Sequence, residues 1–459
     1  MKIKINRTPH GSILVVTMCT AGIIMLGLAT YLWLVSNHNL STMRSLAWNS
    51  ALTVAEAGAE EALTQTQYCD LSHLSNNSWT NLNNGWFYKK RYVDSVSYYE
   101  VMIKQAEPPV IISTATVPAP VSTLVPSANY GLILGAATPA TAVVKRRIQV
   151  NTRRRPLFMG AMVSDESVNL NGKGIATDGF DSTDMYYSEL GMWSNLKPKK
   201  ASGDISCNSN ASKAVDVGNS SIMGHVATGP GGVANVGNAV IGDVNWVQTH
   251  ATGVESKDWI TDDAHFDISP LQNPMAPAGW STGYAASVLG TNFLGVLGQS
   301  TYYKLGAFGG KVLITGDVTL WVTSSIAFGS GDSITITPGS TLKLYMGDQS
   351  GPAVTASLSG IGNPGFAANF QYYGLPSNSA ITFSANAMFT GTIYAPSADF
   401  KLNGGGGQSD LDFVGACVVK TATMGGHFKF HYDESLPRIL WHGYVARDWN
   451  ELDPYAPIN

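Results

Sequence analysis

GAMVSDESVNLNG (160–172), GTIYAPSADFKLNG (391–404) and GACVVKTATMGG (415–426) open alike and close alike. Each starts on Gly and a short β-branched run; the first two end in Leu-Asn-Gly at 170–172 and 402–404, the third in Met-Gly-Gly at 424–426. A second motif recurs as IMGHV (222–226), VIGDV (240–244) and LITGDV (313–318). Gly224 and Gly242 stand 18 residues apart, and Gly391 and Gly415 stand 24 apart. Short β-branched strands with Gly and Asn turns at such periods predict a coiled parallel β-solenoid, in which each turn buries its apolar stripe on the next. A β-sandwich would instead place Asn-Gly turns between alternating runs. Here Asn171-Gly172 and Asn403-Gly404 recur at the repeat spacing and close similar units.

Outward from these repeats, residues 156–436 read as the solenoid. The stretch Asn245–Tyr303 breaks the pattern with Trp246, Trp259, Pro270, Pro274, Pro277 and Trp280, so it is expected to leave the coil and pack on its side. The polar, aromatic residues 437–459 are expected to cap the last turn. Gly391 and Gly415 are expected at tight corners. Cys417 falls at the position equivalent to Ile393, which predicts a buried thiol.

Parallel β-helices include glycan-cleaving enzymes, so carboxylates matter. Asp178, Asp181 and Asp184 sit three apart in ATDGFDSTDMYYSE (176–189), where several oxygens could chelate Ca²⁺. The segment lacks the alternating ligands and closing Glu of an EF-hand loop, and a solvated loop is the reading adopted. A glycosidase needs two carboxylates about 5–10 Å apart, and Asp243 or Asp317 would be the partners for Asp178 or Asp181. His427 and His431 lie about 13 Å apart if extended, too far to share one ion. His431, Tyr432 and Asp433 are expected to satisfy backbone groups where the coil ends. No nucleophile elbow, phosphate loop or dinucleotide fingerprint occurs, so no catalytic residue, cofactor or metal is assigned.

Before the repeats, residues 66–155 carry the β-rich runs WFYKKRYV (86–93), VSYYEVMI (96–103), VIISTATV (110–117), YGLILGA (130–136) and VVKRRIQV (143–150), with prolines between them. This predicts a small antiparallel sheet. In the last run Val144, Arg146, Ile148 and Val150 share one face, and Lys145, Arg147 and Gln149 the other. Lys145, Arg146, Arg147, Arg153, Arg154 and Arg155 form a basic cluster, read as a solvated strand face and linker, with phosphate or acidic polysaccharide as the alternative contact.

Ser12–Val35 carries no charge, and at 1.5 Å per residue it spans roughly 36 Å, enough for a hydrocarbon core of about 30 Å. Lys2, Lys4 and Arg7 precede it and no Lys or Arg follows until Arg44, which predicts a cytoplasmic N-terminus with the bulk of the chain outside. A cleavable secretory signal normally has an apolar run of only about 7–15 residues. Leu40, Met43, Ala47, Ala51, Val54 and Ala62 continue an apolar stripe, so one helix is expected over residues 12–65. Across the chain 13% of residues are charged, against roughly 25% in average proteins, and 48 are glycine. The net charge of −4 argues against nucleic acid as a partner. Four cysteines show no paired zinc spacing; Cys19 falls in the apolar helix, and Cys69 with Cys207 is the candidate disulfide.

The basic leader 1–11 ending at Gly11, the apolar helix from Ser12 and the stretch AEAGAEEAL (55–63) together resemble the minor type IV pilins, in particular the PilX-type N-terminal segment. The resemblance implies leader processing between Gly11 and Ser12. It also implies insertion of the helix into the lipid bilayer and among other pilin-type subunits, at a bacterial inner membrane or in a pilus. Two positions depart from the family: Ser12 stands where a large apolar residue is usual, and Val16 where a glutamate is usual. Loss of that carboxylate fits a filament tip, and equally an anchored protein that never polymerises. Tyr394-Ala395-Pro396, Asp412 to Ala416 and His431 to Glu434 resemble a β-helical domain that follows PilX-like segments in bacterial surface proteins.

The expected fold is thus mainly β: a long transmembrane helix, a small pilin-like antiparallel sheet and a right-handed parallel β-solenoid. The expected function is a non-enzymatic surface subunit whose head adheres, with surface polysaccharide as a candidate partner. A membrane-tethered polysaccharide lyase or hydrolase is the alternative.

Overall fold

No proline interrupts residues 11 to 68, and the stretch forms one 58-residue helix, α1 (Gly11–Tyr68). The computed structural model describes residues 11–68, 71–119, 142–306, 309–329, 331–384, 388–404 and 411–458. The protein is mainly β, with this single long apolar helix and large parallel sheets. The chain divides into one unit of Met1–Arg155 with Trp441–Asn459 and another of Pro156–Leu440.

The two halves of α1 have opposite environments. From Ile13 to Leu34 the large apolar side chains are exposed, and by length and composition this helix is fit to cross a membrane. From Ala47 onward a stripe of small residues is buried, with Ala51, Ala55, Ala59 and Ala62 fully so. Small side chains let the helix axis approach the sheet: a Cβ on Gly58 would run into Ser113 Oγ and the Tyr99 ring. The buried stripe begins later than the sequence pattern suggests, since Met43 is half exposed.

The sheet under α1 contains β1 (Thr80–Asn81), β2 (Trp86–Tyr92), β3 (Tyr98–Lys104), β4 (Val110–Ala119) and β5 (Ala142–Pro156), antiparallel in that order. The run YGLILGA lies outside the described residues. Ile111, Ala115, Ile148 and Val150 face α1 and complete its core with Val101 and Ile103. Period-two alternation separates the faces as expected, with Arg147 opposite Thr114 and Gln149 opposite Ile112 on the far side. The basic cluster is a solvated face only in part: Arg153 and Arg154 are exposed, and Lys145 and Arg155 are half-buried. Arg146 and Arg147 are both buried: Arg146 grips Glu451 through two hydrogen bonds and lies over the Trp48 ring.

The tail corrects a further expectation. The sequence reading makes 437–459 a cap on the coil, whereas Leu440–Leu452 is a 13-residue strand next to β5 that extends the first sheet. The second unit is therefore an insertion between two neighbouring strands of the first.

Within Pro156–Leu440, the strands Ser300–Leu305, Asp317–Val322, Thr341–Met346, Phe370–Gly374, Phe389–Gly404 and Leu411–Gly426 pair in parallel, each with the next. Leu411–Gly426 then pairs with β6 (Met162–Asn169), and the ladder continues through Ile205–Cys207, Val226–Ala227 and Ile260–Thr261. Chain order and spatial order differ: the chain enters at β6, runs to Ile260–Thr261, resumes at Ser300–Leu305 and works back to β6. The repeats align as the sequence implied, with Gly391 beside Gly415, Ile393 beside Cys417 and Leu402 beside Met424. Phe389, Phe413 and Phe430 stack inside this ladder at centroid spacings of 4.6 and 4.4 Å.

Three details differ from the sequence reading. Ser221 pairs with Val240 and Ile222 with Ile241, an offset of 19 residues, because the strands align their apolar residues rather than the following glycines. The third copy of that motif is split, its Leu313-Ile314 ending one strand and its Asp317-Val318 opening another in a different sheet. Gly391 has no left-handed backbone; what it needs is the absence of a side chain, because a Cβ would press on the Phe370 ring. Gly415 does lie at φ +146°, with the Gly391 carbonyl oxygen where its Cβ would be.

The aperiodic stretch is partly built into the ladder through Ile260–Thr261. Residues 264–281 then run across an outward-facing aromatic row. Trp321, Tyr345, Tyr373 and Tyr394 occupy matching positions on four adjacent strands. Trp280 packs on Trp321 at 5.4 Å, Ser269 O accepts from Tyr394 Oη at 2.8 Å, and Asn273 bonds both Asp348 and Gln349.

Candidate functional site

Where the last strands of the second unit meet its first, four residues in a row reach across. β7 (Ala176–Phe180) pairs in parallel with Phe428–Asp433, setting Asp178 beside His431. His431 Nδ1 lies 2.5 Å from Asp178 Oδ1, and its Nε2 lies 3.2 Å from Asp412 Oδ1. Tyr432 Oη donates to Phe158 O at 3.2 Å. Asp433 accepts from the Ser182 and Ser435 backbone amides, and Glu434 pairs with Lys200.

Asp178 and His431 are 1% and 0% exposed, so their charges are compensated locally or not at all. Lys199 Nζ supplies a further cation at 2.5 Å from Asp178 Oδ2. Burial pushes the Asp178 carboxyl up, but hydrogen bonding and charge from His431 and Lys199 outweigh it and hold it below the usual range. Burial alone would lower His431; the carboxylates of Asp178 and Asp412 prevail and raise it. Both ring nitrogens thus face carboxylates, an arrangement that favours the protonated ring. The Trp193 ring covers it at 3.7 Å, with planes 20° apart, a stacking that favours the cation.

With both nitrogens bonded and no solvent access, this imidazole has no free position from which to pass a proton to a substrate. What the arrangement does is fix three strands, from residues 176–180, 411–426 and 428–433, with charge-assisted bonds.

The carboxylates of the acidic segment do not converge. Asp181 accepts from Thr183 N and Oγ1, and Asp184 from Tyr186 N, each closing its own turn. Asp243 caps the short helix Val244–Thr249 by accepting from Trp246 N, and Asp317 accepts from Thr341 Oγ1 at 2.8 Å. His427 is not a neighbour of the cluster but lies against Gly174. Among the described residues no group of three or more His, Cys, Asp or Glu is arranged to hold a metal ion. Cys207 and Cys417 are buried free thiols, whereas Cys69 lies outside the described residues. Sequence reasoning missed Lys199, Asp412 and Trp193 as members of the cluster. Only Asp412 had a signal, as the first residue of the DFVGA stretch.

Beside the cluster, Trp193, Phe180, Met192, Phe366, Met388 and Val414 line an apolar depression of about 50 Å³. That is far below the roughly 300–1,000 Å³ of sites enclosing small molecules. Its rim is exposed at Met192, Phe366 and Met388, and the loop leading to it exposes Met185, Tyr186, Leu190 and Leu196. Exposed apolar side chains around a shallow depression suit contact with a surface better than enclosure of a substrate.

Comparison with known proteins adds one finding. A family described as a domain of unknown function (DUF7305) matches residues 308–439, which include Asp412 and the four residues from His431 to Glu434. No curated protein matches the chain, and no solved structure does.

Proposed function

We propose that this chain is a non-enzymatic, minor-pilin-like surface subunit. In this reading its helix is anchored in the bacterial inner membrane or a type IV pilus, and its second unit is an adhesive head. One observation carries the reading. A single helix is apolar and exposed from Ile13 to Leu34, then buried through small residues on an antiparallel sheet from Ala47 to Ala62. The exposed half suits lipid or neighbouring helices, and the buried half anchors a folded unit. Val16 brings no carboxylate into the bilayer, in keeping with a subunit at a filament tip or one that stays in the membrane.

The head reads as a right-handed parallel β-solenoid. Support comes from parallel strands pairing with partners 17 to 28 residues along the chain, and from the strong right-handed preference of parallel crossovers. The exposed apolar rim near Phe366 is the favoured contact with a surface or glycan. The saturated environment of His431 supports binding without cleavage. Cys19, exposed on the apolar half of α1, offers the experiment. Oxidative cross-linking in membranes of the native host should join Cys19 to a cysteine placed in the apolar helix of a pilin-type subunit. Monomer alone, with every such partner position tried, would remove the filament reading.

A further inference from the structure

A smaller sheet of the second unit runs Ala286–Val288, Thr291–Leu294, Lys311–Ile314, Ser333–Ile336 and Ile361–Gly362 in spatial order. Ala286–Val288 is its outermost strand. It pairs antiparallel with Thr291–Leu294 and, among the described residues, has no strand on its other side. Edge strands of soluble proteins are commonly blunted by charges, by proline or by a covering segment. This edge has none of the three. Ser281–Tyr303 contains no Asp, Glu, Lys, Arg, His or Pro, and all three residues of the strand are exposed. From Ser281 to Ser300 only Leu294 is buried.

Apolar side chains surround the open edge. Val288, Leu289, Val296 and Leu297 are exposed, Leu289 completely. Leu289 and Gly290 form the two-residue hairpin turn, at φ +47° and +75°. Asn or Asp is the usual first residue of such a turn, because a bulky side chain fits the left-handed region poorly. Leu289 therefore serves neither the turn nor the core. A surface without charge gives a charged partner no hold, yet it meets no repulsion from its own copy. An open edge takes a strand, and antiparallel pairing of one edge with itself closes after two copies.

We propose that Ala286–Val288 pairs antiparallel with the same strand of a second copy of this chain. The two-fold axis passes at Ser287, so that Val288 faces the partner's Ala286 and Leu289 is covered. This edge is at the far side of the sheet from Ile361–Gly362, the strand leading to Phe366. The pairing joins two heads and does not depend on what the head adheres to.

Sedimentation equilibrium of the full chain in detergent should show a dimer with a dissociation constant on the order of micromolar, as suits a small interface. Leu289→Asn relieves the turn, so the second unit should melt no lower than wild type while the dimer weakens at least about tenfold. Val288→Lys and Ala286→Glu each set an unpaired charge at the join, and each should abolish the dimer. Mixed one to one, these two variants should associate again, since the new lysine then faces the new glutamate across the axis. Monomer up to about 100 μM would give the edge to a different partner and overturn the proposal. A dimer unchanged in Leu289→Asn, as one made through α1 would be, overturns it too. Failure of the mixed variants to associate would contradict the axis at Ser287.

Discussion

Asp178 and His431 stand 253 residues apart in the chain and 2.5 Å apart in the fold, both wholly buried. Their bond joins the first strands of the second unit to its last, at the place where the chain enters and leaves that unit. Lys199, Asp412 and Trp193 complete the join.

The pH dependence of head stability follows from this pair. His431 titrates above its ordinary 6.5, so its contribution is complete below that value and disappears as pH rises through the folded value. Asp178 titrates below its ordinary 3.8, so its contribution is complete above that value and disappears as pH falls through the folded value. Melting temperature should therefore be highest between those limits. His431→Gln should flatten the alkaline limb and Asp178→Asn the acid limb. Unaltered limbs in both variants would sink the assignment.

Removing one member of a buried charge pair leaves the other unpaired, at a cost of about 3–5 kcal/mol. Asp178→Asn should therefore lower stability strongly in urea titration. Asp181→Asn, Asp184→Asn and Asp317→Asn should each cost about 1 kcal/mol or less, since each loses only local hydrogen bonds at the surface. None of these changes, nor Asp243→Asn, should create or abolish cleavage of a polysaccharide by the purified protein. Cleavage lost on changing any one of them would favour the tethered enzyme.

Gly415→Val meets both a left-handed backbone and the Gly391 carbonyl, and Gly391→Val meets the Phe370 ring. Each should destabilise the second unit by several kcal/mol, as overpacking and strain combine; Val414→Asp should do likewise by burying an unpaired charge. Circular dichroism melts decide this. Wild-type melting in all three would remove the close-packed ladder.

The C-terminal strand gives a fourth expectation. Glu451→Ala strips Arg146 of its carboxylate beneath Trp48 and should lower the melting temperature of the first unit without shifting that of the second. A loss confined to the second unit would contradict the pairing of Leu440–Leu452 with β5.

These outcomes also mark what the chain made legible. The helix and the alignment of Gly391 with Gly415 and of Ile393 with Cys417 could be read, because local periodicity carries them. The closure of residues 428–433 on residues 176–180 could not: contacts across some 250 positions leave no periodic trace, and His431 looks like any strand histidine. The return of Leu440–Leu452 to the first sheet was hidden for the same reason, and the burial of Arg146 and Arg147 followed from it. The slip of the Ile222 repeat by one residue reflects apolar side chains, rather than turn glycines, setting strand register.

The central claim is that α1 belongs to a processed, pilin-type subunit, and N-terminal sequencing of the protein extracted from membranes of its native host tests it most directly. The account predicts a mature chain beginning at Ser12, cut after Gly11 with the whole apolar half of α1 retained. A chain still beginning at Met1, or one beginning beyond Val35, would contradict it.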